Sequence, residues 1–371
     1  VSDWLPFADA VKDATSGNAK ILSREYDESG SIPIVDQGRE LIGGYTSQKD
    51  AEYSGDIPCI VFGDHTKIFK YVDFPFALGA DGVKVLTSKT KDIMVPFLYY
   101  YLRSQKLPDA GYSRHFKFLK KLRVPVIPID EQRRIVGLLD RAAEIRRRAD
   151  EARAKARAII PALFLDMFGD PATNPKGWPI FRLSALLETP LSYGSMESPK
   201  AGDSAWRDIR VANIKNGYLD HSDSKFVDIS RDKVEKHTLR NGDIVVARAI
   251  ASKEHLGKCA VAWPHREKWA YDSHVMRIRV EQSATHPTWL HSFLCSEGGR
   301  SLLLSRARAT AIQHNINTKE VAATQVSLPP IALQTIFAEK ANRIEATARA
   351  LDAAAAKAEA MAAALSAEVF G

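Results

Sequence analysis

The stretch VPVIPIDEQRRIVGLLDRAAEIRRRADEARAKARAIIPALFLDMFGD, residues 124–170, decides the fold because it occurs twice. Its second copy is VSLPPIALQTIFAEKANRIEATARALDAAAAKAEAMAAALSAEVFG, residues 326–371. Pro128 matches Pro330, Ile129 matches Ile331, Gln132 matches Gln334, Arg141 matches Arg343 and Asp150 matches Asp352. Lys155 matches Lys357, Leu163 matches Leu365, and Phe168-Gly169 matches Phe370-Gly371. Every pair is separated by 202 positions (334 − 132), so about 46 residues repeat without a gap. An internal repeat of this kind sets the architecture before any local reading does.

Both copies read as long helices. In the first, apolar or small residues fall at Ile135, Leu138, Ala142, Ile145, Ala149, Ala152, Ala156, Ile159 and Leu163. These steps alternate between three and four, the spacing of a coiled-coil seam. In the second, Phe337, Ile344, Leu351, Ala358 and Leu365 keep the same phase. Ala142 and Ala149 in one seam stand where Ile344 and Leu351 stand in the other, which suits two helices packing on each other. Each helix would run roughly 35–40 residues, about 55 Å at 1.5 Å per residue. So narrow a seam needs a partner helix to be stable.

The segments ahead of the helices share a plan. Gly55-Asp56-Ile57 precedes PCIVFGDH, and Gly242-Asp243-Ile244 precedes VVARAI. An alternating strand follows in each, GVKVL at 82–86 and HVMRIRV at 274–280. A short amphipathic helix comes next, VPFLYYYLRSQ at 95–105 and PTWLHSFLCSE at 287–297. The expected fold class is therefore mixed α/β (α+β). Its domains are 1–125, a long helix over 126–170, a second globule over 171–325, and a second long helix over 326–371, in a pseudo-two-fold duplication. The scaffolds correspond while nearly every surface residue differs.

Lys and Arg outnumber Asp and Glu by 52 to 45, a net charge of +7. That surplus is compatible with a polyanionic partner and does not by itself identify one. The residue types in the loops are more informative. In the first globule, GDHTKIFKY (63–71) presents His65, Thr66 and Lys67 in a turn between strands, and GYSRHFKFLKK (111–121) carries Arg114, His115 and Lys117 among aromatics. In the second, RDIRVANIKNG (207–217) offers Arg210, Asn213 and Lys215, and ARAIASKEHLGK (247–258) offers Arg248 and Lys253. AIQHNINTK (311–319) adds Gln313, His314, Asn315 and Lys319. Arg and Lys suit guanine edges and phosphates, Asn and Gln suit adenine, and Ser or Thr suit either. These are the candidate contacts to double-stranded DNA.

Catalytic signatures are missing. The chain has no G-x-G-x-x-G or G-x-x-x-x-G-K-[ST] loop, no H-E-x-x-H and no nucleophile elbow. Asn174-Pro175-Lys176 lacks the second proline and the aromatic that would stack a flipped base. Asp56, Asp64, Asp73 and Asp81 read as turn formers. Cys59, Cys259 and Cys295 show no CxxC pair or Cys/His cluster, so neither a zinc site nor a disulfide framework is expected, and no metal ligands are assigned. No apolar run could span a bilayer, and the first residues, VSDWLPFADA, carry no signal-peptide pattern, so a cytoplasmic protein is expected.

Taken together, IPIDEQRRI (127–135), its degenerate copy PPIALQTI (329–336), FGDPATNPKGWPIFRLSAL (168–186), GDHTKIFKYVDFPFALGADGVKVL (63–86) and GYSRHFKFLKKLRVPVIP (111–128) resemble the specificity subunits of type I restriction-modification systems. The resemblance implies two target-recognition domains joined by the family's two conserved antiparallel helices, each domain reading one half of a bipartite DNA site. It implies a non-catalytic subunit that binds no cofactor itself, with S-adenosylmethionine on a methyltransferase partner. The partners it implies are double-stranded DNA, two methyltransferase subunits and restriction subunits, with no membrane. One departure stands out: Ala332-Leu333 replaces Asp130-Glu131 ahead of the shared glutamine, which weakens the expectation that both helix starts make the same contact. The competing reading is a coiled-coil adaptor that binds proteins and no DNA.

Overall fold

The computed structural model describes residues 3–80, 82–108, 114–198, 206–215, 217–250, 252–305, 308–309 and 314–371, without the side chains of Arg157, Lys253, Arg308, Ala309 and His314. It divides into two compact units, Val1–Asp150 with Leu351–Gly371, and Glu151–Ala350.

The first unit is built on the strand Cys59–Gly63, buried along its whole length. Its unbroken apolar run, CIVFG, is the pattern of a strand covered on both faces. Alternation then sorts the side chains. Ile60 and Phe62 enter a core with Leu86, Phe97, Leu98, Tyr101 and Leu102, whereas Cys59 and Val61 enter another with Val35, Val72, Phe76 and Val85. The strands lie in the order Val11–Asp13, Val83–Ser88, Cys59–Gly63, Phe69–Val72, all antiparallel. A smaller sheet sets Ile32–Val35 antiparallel to Gly44–Thr46 and parallel to Ala77–Gly79. The strand Asp3–Pro6 pairs with Arg123–Val126, which leads into the first long helix.

The second unit repeats this topology on different residues. Its main sheet runs Ser192–Tyr193, Val275–Ile278, Ile244–Ala247, Cys259–Val261, again antiparallel with the buried strand inside. Trp206–Ile209 is antiparallel to Lys225–Val227 and parallel to Trp269–Tyr271. Ile180–Arg182 pairs with Gln325–Ser327, which leads into the second long helix. The short helices Val95–Ser104 and Pro287–Cys295 each carry a proline in their first turn, where the missing N–H costs nothing.

The long helices run Ile129–Phe168 and Ile331–Phe370. Each crosses from one unit to the other, so neither belongs to a single globule. Within the first unit the helix segments are antiparallel: Arg146 pairs with Glu359 at 3.5 Å, and Ile135, Val136 and Leu139 share a core with Leu365, Val369 and Phe370. Within the second, Phe164 and Phe168 meet Phe337 edge to face with ring centroids 5.7 and 5.6 Å apart, and both also contact Trp289.

The seam reading holds for one row only. Ile135, Ala142, Ala149 and Ala156 are buried, but Leu138, Ile145 and Ile159 are exposed. The first helix lies on a globular core as well as on its partner helix, and Val136 and Leu139 turn inward with Ile135. A helix can bury only one stripe, so the second row faces out. No helix among the described residues is long and apolar enough to cross a membrane.

Candidate nucleic-acid interface

In the first unit Asp64 organises the candidate surface. It follows the buried central strand and is itself buried. Its backbone carbonyl accepts from the His115 N–H and pairs with His115 Nδ1, both at 2.9 Å, and its Oδ1 accepts the Phe116 N–H at 2.6 Å. The turn 64–67 and the segment 114–117 are thereby locked together, although some 50 residues of chain separate them (115 − 64 = 51). Thr66 Oγ1 donates to the Gln37 carbonyl at 2.7 Å, and Lys67 takes a left-handed φ of 62° to close the turn.

Arg114 and Lys117 point outward from this junction, and Thr66 is exposed. His115 does not. It is 0% exposed, its ring held on the Asp64 carbonyl, so it positions the loop and cannot touch a ligand from outside. Around it lysines gather on two rings: Lys84 and Lys120 lie 4.9 and 5.1 Å from the Phe116 centroid, Lys117 and Lys121 lie 5.1 and 6.0 Å from that of Phe118. Such pairs keep ammonium groups ordered while they stay solvated. Beside the turn is a recess of about 550 Å³ lined by Arg39, Lys67, Arg103, Gln105, Tyr99 and Phe69, with Arg103 donating to Tyr99 Oη at 3.2 Å. Among the residues that line it, none is acidic. Arg39 and Arg103 escape a sequence reading because no local pattern brings residues 39, 67 and 103 together.

The second unit distributes its candidates over two places. Arg210 donates to the Asp223 carbonyl at 2.7 Å and its carboxylate at 3.0 Å, and Lys215 pairs with Asp220 at 2.5 Å. Asn213 is 3% exposed: Oδ1 accepts the Arg210 N–H, and Nδ2 donates to the carbonyls of Asp220 and Asp223. It builds the turn and is unavailable to adenine. At the other place Arg248 lies 4.1 Å over the Tyr193 ring, donates to the Ser273 carbonyl at 2.8 Å, and donates to Asn315 Oδ1 at 3.1 Å. The strand pairing Ala249↔Asn315 brings these two candidates together. Lys319 is exposed on the adjoining helix Thr318–Ala322. Gln313 and the side chains of Lys253 and His314 lie outside the described residues.

Two features were invisible in the sequence. Asp208, 2% exposed on the strand Trp206–Ile209, has its pKa pushed up to about 7 by burial, reinforced by the Asp272 charge and opposed by Arg210. The fold also assembles a Cys/His cluster, Cys259, His291 and Cys295, that spacing alone did not suggest.

Residues 11–149 match the family model described as the type I restriction modification DNA specificity domain. The specificity subunit of the type I restriction enzyme EcoKI from Escherichia coli (strain K12) is 25% identical over 158 residues, covering 42% of this chain and 33% of that protein. The EcoR124I/EcoR124II specificity subunit of Escherichia coli is 28% identical over 129 residues, 34% of this chain and 32% of that protein. The matched region thus spans about a third of the length of these relatives. Among solved structures, a type I restriction-modification system S subunit from M. genitalium superposes with a TM-score of 0.69 at 12% identity, over 100% of this chain and 96% of that one, a likeness of fold. By sequence in its first domain and by fold along its whole length, the chain is similar to the specificity subunits of type I restriction-modification systems.

Proposed function

We propose that this chain is a DNA-specificity subunit: each unit reads one half of a bipartite duplex site, and the chain directs methyltransferase and restriction subunits to it. The observation that carries this reading is the pairing of one topology with two surfaces. Both units have the same sheet order around a buried central strand. Yet the turn after that strand leads to Thr66, Arg114 and Lys117 in one unit and to Arg248 and Asn315 in the other. Duplicated scaffolds with divergent polar tips suit two different half-sites, since bases are read by side chains and the backbone of the duplex by charge.

The chain acts in this reading without catalysis of its own; methyl transfer and its S-adenosylmethionine belong to the methyltransferase partner. Leu138 and Ile145, two turns apart on one face of the first long helix, are exposed and leave that face open to a partner, which supports a docking role for this helix. This accommodates what is sound in the adaptor reading, since the same helix binds protein while the globules bind DNA.

The test is co-expression with the neighbouring methyltransferase subunit in a host without other systems, followed by mapping of methylated bases. A bipartite methylated motif that disappears without this chain is the expected result. A well-folded complex that methylates nothing, with no salt-dependent DNA binding, would return the reading to the adaptor.

A further inference from the structure

We propose that Cys259, His291 and Cys295 form a binding site for a thiophilic divalent cation, of which Zn²⁺ is the natural candidate. His291 and Cys295 are four residues apart on the helix Pro287–Cys295, so their side chains share a face. Cys259 begins the strand Cys259–Val261, at the edge of the main sheet of the second unit. The two sulfurs are 3.3 Å apart, Cys295 Sγ is 3.3 Å from His291 Nε2, and all three donor atoms lie within 4.8 Å of one another.

These separations are too long for a disulfide and close to those of a ligand set. Bonded sulfurs lie about 2.05 Å apart. A tetrahedral zinc with Zn–S of about 2.3 Å and Zn–N of about 2.0–2.1 Å places two sulfurs roughly 3.8 Å apart and a sulfur and a nitrogen roughly 3.5 Å apart, so the two sulfurs need to part by about half an ångström to take the ion. The donor types also match, since two thiolates and an imidazole from two different elements are a zinc set that leaves a fourth position for water. Of the two cysteines, Cys295 is the more exposed and Cys259 is buried. Binding displaces the thiol protons to solvent, so affinity rises with pH.

The ion would tie the short helix to the sheet edge. Cys259 pairs in register with Val246, and the Gly257 N–H bonds the Ala247 carbonyl, next in sequence to Arg248. Metal occupancy would therefore stiffen the base of the loop that carries Arg248 in the second unit.

The full chain, reduced and stripped with a chelator, is titrated with Zn²⁺ and with Co²⁺, and bound metal is measured after dialysis. One retained equivalent is expected, with a thiolate-to-cobalt charge-transfer band and the visible bands of tetrahedral Co²⁺. Cys295→Ser, at the exposed position, and His291→Ala should each weaken binding by at least about tenfold. Cys59→Ser, in the first unit, should leave it unchanged. Wild-type protein that retains no metal overturns the site. So does binding that survives both substitutions, or recovery of a Cys259–Cys295 disulfide as the stable form in the presence of Zn²⁺.

Discussion

Gln132 and Gln334, 202 positions apart (334 − 132), make the same three hydrogen bonds. The Gln132 carbonyl accepts the Met94 N–H at 2.8 Å, while its amide donates to the carbonyls of Asp92 at 2.6 Å and Ile127 at 2.8 Å. Gln334 accepts the His286 N–H at 2.8 Å and donates to the carbonyls of Ala284 at 3.2 Å and Pro329 at 2.8 Å. Each pins the start of a long helix to the chain just ahead of a short one, and both are fully buried. The change from Asp130-Glu131 to Ala332-Leu333 leaves this contact intact, because Asp130 and Glu131 pair outward with Arg133 and Arg134.

Gln132→Ala and Gln334→Ala should each cost roughly 2–4 kcal/mol, since each leaves a buried N–H and two carbonyls without partners. Chemical denaturation followed by hydrogen exchange checks this. Loss of protection should concentrate in the unit that carries the substitution.

Asp208 makes the second unit sensitive to pH. Its carboxyl ionises near 3.8 when unfolded and at about 7 when folded. Between those values the folded chain holds more protons, so rising pH favours unfolding and stability falls until about pH 7. The loss is at most roughly 4 kcal/mol. Asp208→Asn should abolish it. The difference between the two stability curves isolates this residue, because His221, His237 and His286, kept low by burial, make stability rise with pH.

Arg114→Ala should leave the fold unchanged and relax one half-site by about 1–3 kcal/mol per base lost. Lys117→Ala should weaken binding to all sequences and reduce the salt slope by roughly one. Equal loss at both half-sites on removing Arg114 would sink the two-reader model. Fluorescence anisotropy with duplexes altered in one half at a time reads both effects.

Phe337→Ala, which removes a fully buried ring packed on both Phe164 and Phe168, should cost about 3–5 kcal/mol. Leu138→Glu and Ile145→Glu should cost little, because both side chains already face water. Those two substitutions should instead abolish co-purification with the methyltransferase subunit. Retained association would remove the docking role from this helix face.

Periodicity and repetition made the helices, the short amphipathic helices and the central strands legible, since each of these is a local pattern. What stayed hidden depended on residues far apart in the chain. His115 and Asn213 have the composition of contact residues, but backbone carbonyls at Asp64, Asp220 and Asp223 claim them. Leu138 and Leu139 are equally apolar neighbours, and only the position of the core decides which turns inward. Cys259 meets His291 and Cys295 only after a strand edge docks on a helix.

Phe370 lies among Phe97 and Tyr101, with ring centroids 5.4 and 5.7 Å away. The first unit therefore takes part of its core from residues made after all of Glu151–Ala350. During synthesis the second unit can complete itself first, while the earlier-made unit waits with an apolar gap beside its short helix. A frameshift within residues 351–371 would then damage the unit built on residues 3–150, far upstream, and spare the unit that directly precedes the lesion.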